Sequence, residues 1–478
     1  MQLKINSNID NALEVYIIDN DFDVEKIKPS LKKVLEETNY FESDRFKIFY
    51  YINEFEKIYL VNLGDSKDLL LNDIRHLGFK IANDLKSKNY SDININYFEV
   101  DYFESNIFIP ALIEGFLQSN YSFDTYKTKK DKKFDFNINI KLPNNAELNE
   151  SFLTEVKNII EGINITRELV NTPSIDLYPE TLAQKAKEIL EPLGIKVTIY
   201  NKKEIEDMNM QAFLAVAKGS SKEPKFIKLE YSPVKDKNSQ LIALVGKGLT
   251  YDSGGYAIKN PEGMATMMGD MAGSATVIGT MYSLAKNNVK QNVVGLIAAC
   301  ENMISGNAYK NGDIISSMKG TTIEVKNTDA EGRLTLADAL YYAATKTEAN
   351  TIVDLATLTG ACIVALGEVT TGIITNSDNV YNKIQEASEK SGEYVWKLPS
   401  FKETRDLLKS KIADLTNSTG PFGGAITAGL FLEEFVEGKN WSHMDIAGPS
   451  YTTKPYSYIP YGATGIPVKT LYNFVKDF

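Results

Sequence analysis

The chain has 478 residues, of which 43% are hydrophobic and 24% charged, and its formal net charge is −11. This composition is typical of a globular protein and excludes wholesale disorder, while the acidic excess argues against a general nucleic-acid binder, which needs a basic face. Only two histidines and two cysteines are present, which excludes a three-His metal site, a Cys-rich zinc cluster and a disulfide framework. A hydrolase built on this sequence would need carboxylates, lysine, serine or backbone groups.

Strand-like and helical patterns alternate from the start of the chain to about residue 145. The strand-like runs are at 15–18, 46–51 and 57–62, and the helical patterns are at 65–85 and 108–118. This alternation predicts an α/β domain over residues 1–145. The Pro- and Asn-rich segment 143–149 indicates its boundary.

A second, larger α/β region is predicted to follow a connecting helix. The helical pattern at 150–170 lies in a connecting segment that we place at 146–175. Further strands and helices alternate over residues 176–478, including the strand-like runs 196–200 and 241–245. We therefore predict two α/β domains, the larger with a central mixed sheet flanked by helices.

The sequence shows neither a targeting segment nor a membrane span. The first ten residues lack a basic region followed by an apolar run. No uninterrupted apolar run is long enough for a transmembrane helix. We expect a cytoplasmic protein without a membrane partner.

Residues 245–255, Val-Gly-Lys-Gly-Leu-Thr-Tyr-Asp-Ser-Gly-Gly, follow an apolar run. We expect Lys247 and Asp252 on a loop at the C-terminal edge of a strand, where α/β proteins build their sites. The alternative is a turn whose Lys and Asp face water.

Two further acidic segments follow. Asp270 opens an apolar helical pattern, where an acid is usually a cap or a dipole partner. Asp329 and Glu331 lie between a strand-like run and a helix predicted over 334–344. On an extended backbone, side chains two positions apart point to the same side, so both carboxylates would converge on one point. Two carboxylates held close together need a cation. The alternative is two exposed acids, with Arg333 neutralising one of them.

Together, these segments supply a possible cluster that could hold two divalent cations. Its members are Lys247, Asp252, Asp270, Asp329 and Glu331. A lysine ligand must bind as the neutral amine, and lowering its pKa from about 10.4 to below about 7 costs roughly 4–5 kcal/mol. Metal binding can supply that free energy. Lys259 and Arg333 remain as fixed positive groups.

The motifs resemble those of the leucyl aminopeptidase (cytosol aminopeptidase) family, bacterial type. The most specific is at 327–340, Asn-Thr-Asp-Ala-Glu-Gly-Arg-Leu-Thr-Leu-Ala-Asp-Ala-Leu. Residues 245–255 with Lys259 match a second signature, and shorter stretches agree at 170–174, 354–361, 441–448 and 462–468. The resemblance covers about residues 155–475, and no motif in the first 145 residues matches.

The resemblance implies an exopeptidase that releases N-terminal residues, preferably leucine and other apolar residues, from peptides with a free N-terminus. It implies two divalent cations, Mn²⁺ or Zn²⁺, one bound by Lys247, Asp252, Asp270 and Glu331. The other would be bound by Asp252, Asp329 and Glu331, with the Asp329 carbonyl. Lys259 and Arg333 match the two catalytic positive residues, and Arg333 matches the one that holds a bicarbonate general base. A homohexamer is also implied.

The pocket for the first side chain is the least specific part of the resemblance. The residues that match pocket positions are Met267, Asn327, Thr357, Gly360 and Ala447. Gly269 departs from the family pattern, which often has a basic residue there. Two other functions stay open at this point: a DNA-binding or regulatory role, and a di-metal phosphoesterase.

The histidines and cysteines have no predicted catalytic role. Cys300 and Cys362 lie in apolar runs and are predicted to be buried small residues rather than nucleophiles. His76 and His443 are predicted to satisfy local structure.

Overall fold

The computed structural model describes residues 1–20, 22, 29–52, 56–98, 103–130, 132–142, 148–236 and 239–478. It divides into two compact units, one formed by Met1–Ile160 with Pro455–Ile459 and the other by Glu161–Lys454 with Pro460–Phe478. The division falls within the helix Glu150–Asn171, which the sequence predicted over 150–170. The predicted domain border at residue 145 lies outside the described residues.

The N-terminal unit is a six-stranded sheet with helices. Its strands are β1 Gln2–Ile5, β2 Leu13–Asp19, β3 Ile48–Ile52, β4 Lys57–Gly64, β5 Asp92–Tyr97 and β6 Asn137–Lys141. Its helices are α1 Pro29–Glu37, α2 Leu71–Ser87, α3 Ser105–Gln118 and the first part of α4 Glu150–Asn171. The strand order is β1-β6-β5-β2-β4-β3, and all neighbours are parallel except β3 and β4.

Strand β2 shows why this unit needs helices on both faces of its sheet. Val15 and Ile17 belong to the core cluster that contains residues of α2 and α3. Tyr16 and Ile18 belong to a second cluster with residues of α1. Because successive side chains point to opposite faces, an unbroken apolar run predicts a strand that is covered on both sides.

Within the described residues, the C-terminal unit has thirteen strands, of which eight form a mixed sheet and the others form a three-stranded and a two-stranded sheet. Its strands are β7 Lys196–Tyr200, β8 Lys225–Tyr231, β9 Leu241–Asp252, β10 Asn292–Asn302, β11 Ile314–Ser316, β12 Thr322–Glu324, β13 Thr351–Ala356, β14 Thr370–Thr375, β15 Tyr394–Lys397, β16 Leu415–Thr416, β17 Asn440–Asp445, β18 Tyr451–Thr452 and β19 Gly462–Ala463. Its helices after α4 are α5 Pro179–Leu190, α6 Lys202–Asp207, α7 Gln211–Ala217, α8 Pro261–Met264, α9 Ala272–Lys286, α10 Gly332–Lys346, α11 Gly360–Leu366, α12 Asp378–Ser391, α13 Lys402–Asp406, α14 Gly424–Glu433 and α15 Val468–Lys476.

The order of the large sheet is β15-β14-β17-β13-β9-β10-β8-β7. The four central strands are parallel, whereas β14 is antiparallel to β17 and β8 is antiparallel to β10. The predicted two-domain α/β fold with a central mixed sheet is confirmed. The carboxyl ends of β9, β10 and β13 meet at one edge, where α/β proteins place their sites.

The two faces of β9 are buried differently. Ala243 and Val245 lie in the core cluster that contains residues of α10 and α14. On the other face, a Cβ added to Gly246 would lie 2.6 Å from the Ser274 Cα in α9. Gly246 thus lets α9 approach the sheet closely. Among the residues that the structure describes, no helix is both long enough and apolar enough to cross a membrane.

Candidate active site

Lys247 and Asp252 lie within strand β9, not on a loop after it as the sequence suggested. The strand continues through Asp252 because β10 pairs with it to the end, where Asn302 is opposite Asp252. Both side chains are buried, and each residue is 2% exposed. The alternative in which Lys247 and Asp252 face water is therefore wrong.

Asp270 lies in the turn between a short 3₁₀ segment and helix α9, which begins at Ala272. Its Oδ1 accepts a hydrogen bond from Thr357 Oγ1 at 2.7 Å, and its Oδ2 is 2.8 Å from Lys247 Nζ. The N-cap residue of α9 is Met271. Asp270 is therefore held by partners across the sheet edge and is not the helix cap.

Asp329 and Glu331 lie in the turn that leads into helix α10. Glu331 has helical backbone angles, φ −79° and ψ −36°, so the extended backbone assumed for this pair is wrong. The turn nevertheless brings the carboxylates together. One oxygen each of Asp252, Asp329 and Glu331 lie within 4.8 Å of one another. Distances of this size suit carboxylates that share divalent cations.

Two lysines lie among these acids. Lys247 Nζ is 2.9 Å from Glu331 Oε1 and donates to the Thr357 carbonyl oxygen at 3.0 Å. Lys259 Nζ is 2.9 Å from Asp252 Oδ2 and 2.5 Å from Asp329 Oδ1. Both ammonium groups therefore bridge pairs of carboxylates.

The cluster has an excess of negative charge, because four carboxylates face two ammonium groups. Burial by itself lowers the pKa of Lys247, but the charges of Asp270 and Glu331 outweigh it and raise this pKa above its ordinary value. Burial raises the pKa of Asp270, and the charges of Asp252 and Glu331 raise it further. The cluster therefore keeps uncompensated negative charge, because two lysines cannot balance four carboxylates in a buried site.

Glu331 provides an independent sign that the cluster suits cations. Its Oε2 atom is buried and has no hydrogen-bond donor within the described part of the chain. A buried carboxylate oxygen without a partner is costly. Divalent cations prefer such oxygen ligands and would offset the excess charge, so the donor set fits them.

Arg333 is buried at the start of helix α10. Burial lowers its pKa to about 10. Its Nη1 donates to the Asn417 carbonyl oxygen at 2.8 Å. Arg333 forms no ion pair with any described residue, so it does not neutralise Asp329 or Glu331 directly. Its Nε atom is buried and lacks a hydrogen-bond partner among the same residues.

The seven charged residues and the five pocket candidates singled out from the sequence all line one cavity of about 1090 Å³ in the C-terminal unit. The five pocket candidates, Met267, Asn327, Thr357, Gly360 and Ala447, lie in its wall together with the seven charged residues. Apolar side chains also line it, including the exposed Val364 and Phe422. The cavity is large enough for several residues of a peptide.

Several residues that support the site were missed by the sequence analysis. Asn302 Nδ2 donates to Asp252 Oδ1 at 2.8 Å and to the Thr328 carbonyl oxygen at 3.0 Å. The Asn417 side chain is hydrogen-bonded to the backbone of Asn327, in the turn that carries Asp329. Of these residues, only Asn302 had a signal in the sequence that could have identified it. It ends β10, the strand that follows β9 in the chain and pairs with it.

The cysteines are buried, as predicted, and His443, which was predicted to satisfy local structure, is buried as well. Cys300 and Cys362 are free thiols, and burial raises the pKa of both, that of Cys362 to about 12. His443 Nδ1 is 2.6 Å from Asp354 Oδ1, and Trp441 Nε1 donates to the other oxygen of Asp354. Both oxygens of Asp354 are thus used, whereas His443 Nε2 is buried without a hydrogen-bond partner among the described residues.

A buried cluster of carboxylates and lysines at the carboxyl edge of a mixed α/β sheet defines a metal-dependent enzyme. Residues 164–472 match the family model described as "Cytosol aminopeptidase family, catalytic domain". Residues 23–130 match "Cytosol aminopeptidase family, N-terminal domain", although no motif was recognised there. The chain belongs to the cytosol aminopeptidase family.

Similar proteins agree with this assignment. A protein of Clostridium tetani named "Probable cytosol aminopeptidase" is 44% identical over 481 residues, covering 100% of this chain and 99% of the relative. A protein of Treponema denticola with the same name is also 44% identical, covering 94% and 95% of the two chains.

Solved structures extend the comparison. A mutant of tomato leucine aminopeptidase is similar with a TM-score of 0.88 and 32% identity, covering 100% of this chain and 97% of that one. The bottromycin maturation enzyme BotP in complex with Mn has a TM-score of 0.86 and 27% identity, covering 97% and 99%. The protein is a metal-dependent aminopeptidase of the leucyl type, which hydrolyses peptides from the N-terminus. Neither the DNA-binding nor the phosphoesterase alternative gains support.

Proposed function

We propose that the acidic cluster holds two divalent cations and uses them to hydrolyse the first peptide bond of apolar substrates. Lys247, Asp252, Asp270 and Glu331 would hold one cation. Asp252, Asp329 and Glu331, with the Asp329 carbonyl, would hold the other. The observation that carries this proposal is the convergence of Asp252, Asp329 and Glu331 within 4.8 Å. When bound, divalent cations lower the pKa of water and polarise a carbonyl group.

Lys259 is proposed to stabilise the transition state. Its ammonium lies at the cavity wall, and its pKa is raised because the charges of Asp252 and Glu331 outweigh burial. It therefore stays positive at neutral pH and can donate to the oxygen on which negative charge develops. A contact of this kind is worth roughly 3–4 kcal/mol.

Arg333 is proposed to bind an anion that acts as the base. Its buried Nε has no partner among the described residues, and the side chain lines the cavity. Bicarbonate fits a guanidinium of this kind and can accept a proton. The chain has no histidine in the cavity wall that could do so.

The pocket candidates are proposed to select the first side chain. Met267 and Ala447 contribute apolar surface to the cavity wall, while Gly360 leaves space and Thr357 and Asn327 frame the acids. This supports a preference for leucine and other apolar residues. The excess of carboxylates attracts either a positively charged amine or the cations to which a neutral amine binds. Substrates are therefore expected to need a free N-terminus.

Metal identity, assembly and location complete the proposal. Mn²⁺ is supported by the Mn complex of BotP, and Zn²⁺ suits the same N and O ligands. We propose a homohexamer, as the family resemblance implies, and a cytoplasmic location in line with the relatives' names. Light scattering and cell fractionation test these two points.

The main test is metal content per chain, measured together with hydrolysis of leucine p-nitroanilide before and after chelation. We expect two metal ions per chain, loss of activity on chelation and recovery with Mn²⁺ or Zn²⁺. The N-acetylated substrate should not be cleaved. Full activity of the chelated protein, or equal cleavage of the acetylated substrate, would contradict the proposal.

A matched pair of variants localises the metal. Asp329→Asn removes one carboxylate from the cluster and should lower both metal content and activity. Asp313→Asn makes the same chemical change at an acid outside the cavity wall, where the side chain accepts from the Lys310 N–H. Asp313→Asn should therefore keep its metal and its activity.

A further inference from the structure

Asn417 follows a short strand, β16. This strand pairs with β12, which leads to the turn that carries Asp329 and Glu331. Strand β16 is parallel to β12, with Thr416 opposite Glu324. This pairing places Asn417 beside the chain as it leaves β12. Asn417 is fully buried.

The side-chain amide of Asn417 bonds to both ends of this turn. Its Oδ1 accepts from the Lys326 and Asn327 N–H groups at 2.9 and 3.3 Å. Its Nδ2 donates to the Asn327 and Ala330 carbonyl oxygens at 2.7 and 3.3 Å. The donors and acceptors of the amide are thus all used on a single turn.

The backbone of Asn417 adds two more bonds. Its N–H donates to the Glu324 carbonyl oxygen at 3.0 Å, and its carbonyl oxygen accepts from Arg333 Nη1 at 2.8 Å. One residue therefore connects strand β12, the turn after it and the first side chain of helix α10 that lines the cavity.

The turn needs this support because Asp329 and Glu331 lie outside regular secondary structure and their negative charges repel each other. One oxygen of Asp329 and one of Glu331 lie within 4.8 Å of each other, so the turn holds two carboxylates close together. Asparagine suits the task because its amide offers two donors and an acceptor with two lone pairs. Alanine lacks both, and aspartate, when ionised, cannot donate.

We propose that Asn417 is a positioning residue that sets the spacing of Asp329, Glu331 and Arg333 for cation and anion binding. The inference rests on the metal ligands proposed above. Residues that orient metal ligands from outside typically contribute about 10–100-fold in metal affinity or activity. The same range is expected here.

The test measures Mn²⁺ affinity by isothermal titration calorimetry, together with kcat, KM and thermal unfolding, for two variants. Asn417→Ala removes all four side-chain bonds, and Asn417→Asp keeps the size and the acceptor but removes the donor. Both should bind Mn²⁺ about 10–100-fold more weakly, with kcat lowered at saturating Mn²⁺.

The matched control is Asn292→Ala. Asn292 holds a loop distant from the cavity wall, with Oδ1 accepting from the Val234 N–H and Nδ2 donating to the Val234 carbonyl oxygen. It should lose thermal stability without losing Mn²⁺ affinity or kcat.

The outcomes separate the two proposals. A wild-type protein that binds no Mn²⁺ would reject the proposed ligands themselves. Wild-type Mn²⁺ affinity and kcat in either Asn417 variant would overturn the positioning role alone. If both Asn417 variants fail to fold under conditions where Asn292→Ala is folded, Asn417 has a structural role only and the inference is also overturned.

Discussion

Gly332 allows Lys247 to reach the acidic cluster, and Gly332→Ala should lower the activity of the enzyme without unfolding it. A Cβ added at Gly332 would lie 2.5 Å from Lys247 Cε and 2.7 Å from Lys247 Nζ. Ordinary contacts between such atoms are about 3.5–4.0 Å. The end of the lysine side chain must therefore move by roughly 1 Å.

Moving the end of the lysine side chain should leave the fold intact but disturb the site. Lys247 Nζ is held between Asp270, Glu331 and the Thr357 carbonyl oxygen. A displacement of about 1 Å at a reacting centre can lower the rate about 10²-fold. Alanine is a better helix former than glycine by up to about 1 kcal/mol. Because this gain opposes the cost of moving the Lys247 side chain, the free energy of unfolding should change little.

The assay compares kcat/KM for leucine p-nitroanilide, Mn²⁺ affinity and the midpoint of thermal unfolding. Gly332→Ala should lower kcat/KM about 10²-fold and weaken Mn²⁺ binding while the midpoint stays close to that of the wild type. Gly306→Ala is the control, because a Cβ at Gly306 would meet nothing within 4 Å. Wild-type kcat/KM and Mn²⁺ affinity in Gly332→Ala would refute the reasoning.

Three further predictions follow from the site and its surroundings. Lys259→Ala should keep its metal, because the acids lose a competing cation, but kcat should fall about 10²–10³-fold; wild-type turnover would remove Lys259 from the mechanism. The pKa of His443 is raised, because the Asp354 carboxylate outweighs the lowering effect of burial. Its contribution to stability is therefore complete below its unfolded-state pKa of about 6.5 and is lost as pH rises through the higher folded-state value. His443→Gln should flatten this part of the pH profile in urea unfolding, and an unchanged slope would count against the pairing. Cys300 and Cys362 should not react with a thiol reagent until the protein unfolds, because both are buried with raised pKa values; rapid labelling of the native protein would show that the core is open.

The sequence by itself determined the family and the chemical groups of the site. Apolar runs predicted several of the strands, among them β2, β4 and β9, and helical periodicity predicted several of the helices, because burial imposes these patterns locally. The signature at 327–340 identified Asp329 and Glu331, and the scarcity of histidine and cysteine favoured carboxylates and lysine as the chemical groups of the site.

Only the tertiary structure decided how these groups are held. Lys247 proved to be inside a strand because β10 extends the ladder beside it, and Glu331 proved to be in a turn. Asn417 lies 90 residues from the Asn327 carbonyl group to which it donates. No local pattern records such a partner, because hydrogen bonds and close contacts between distant segments depend on how the strands pair and the helices pack.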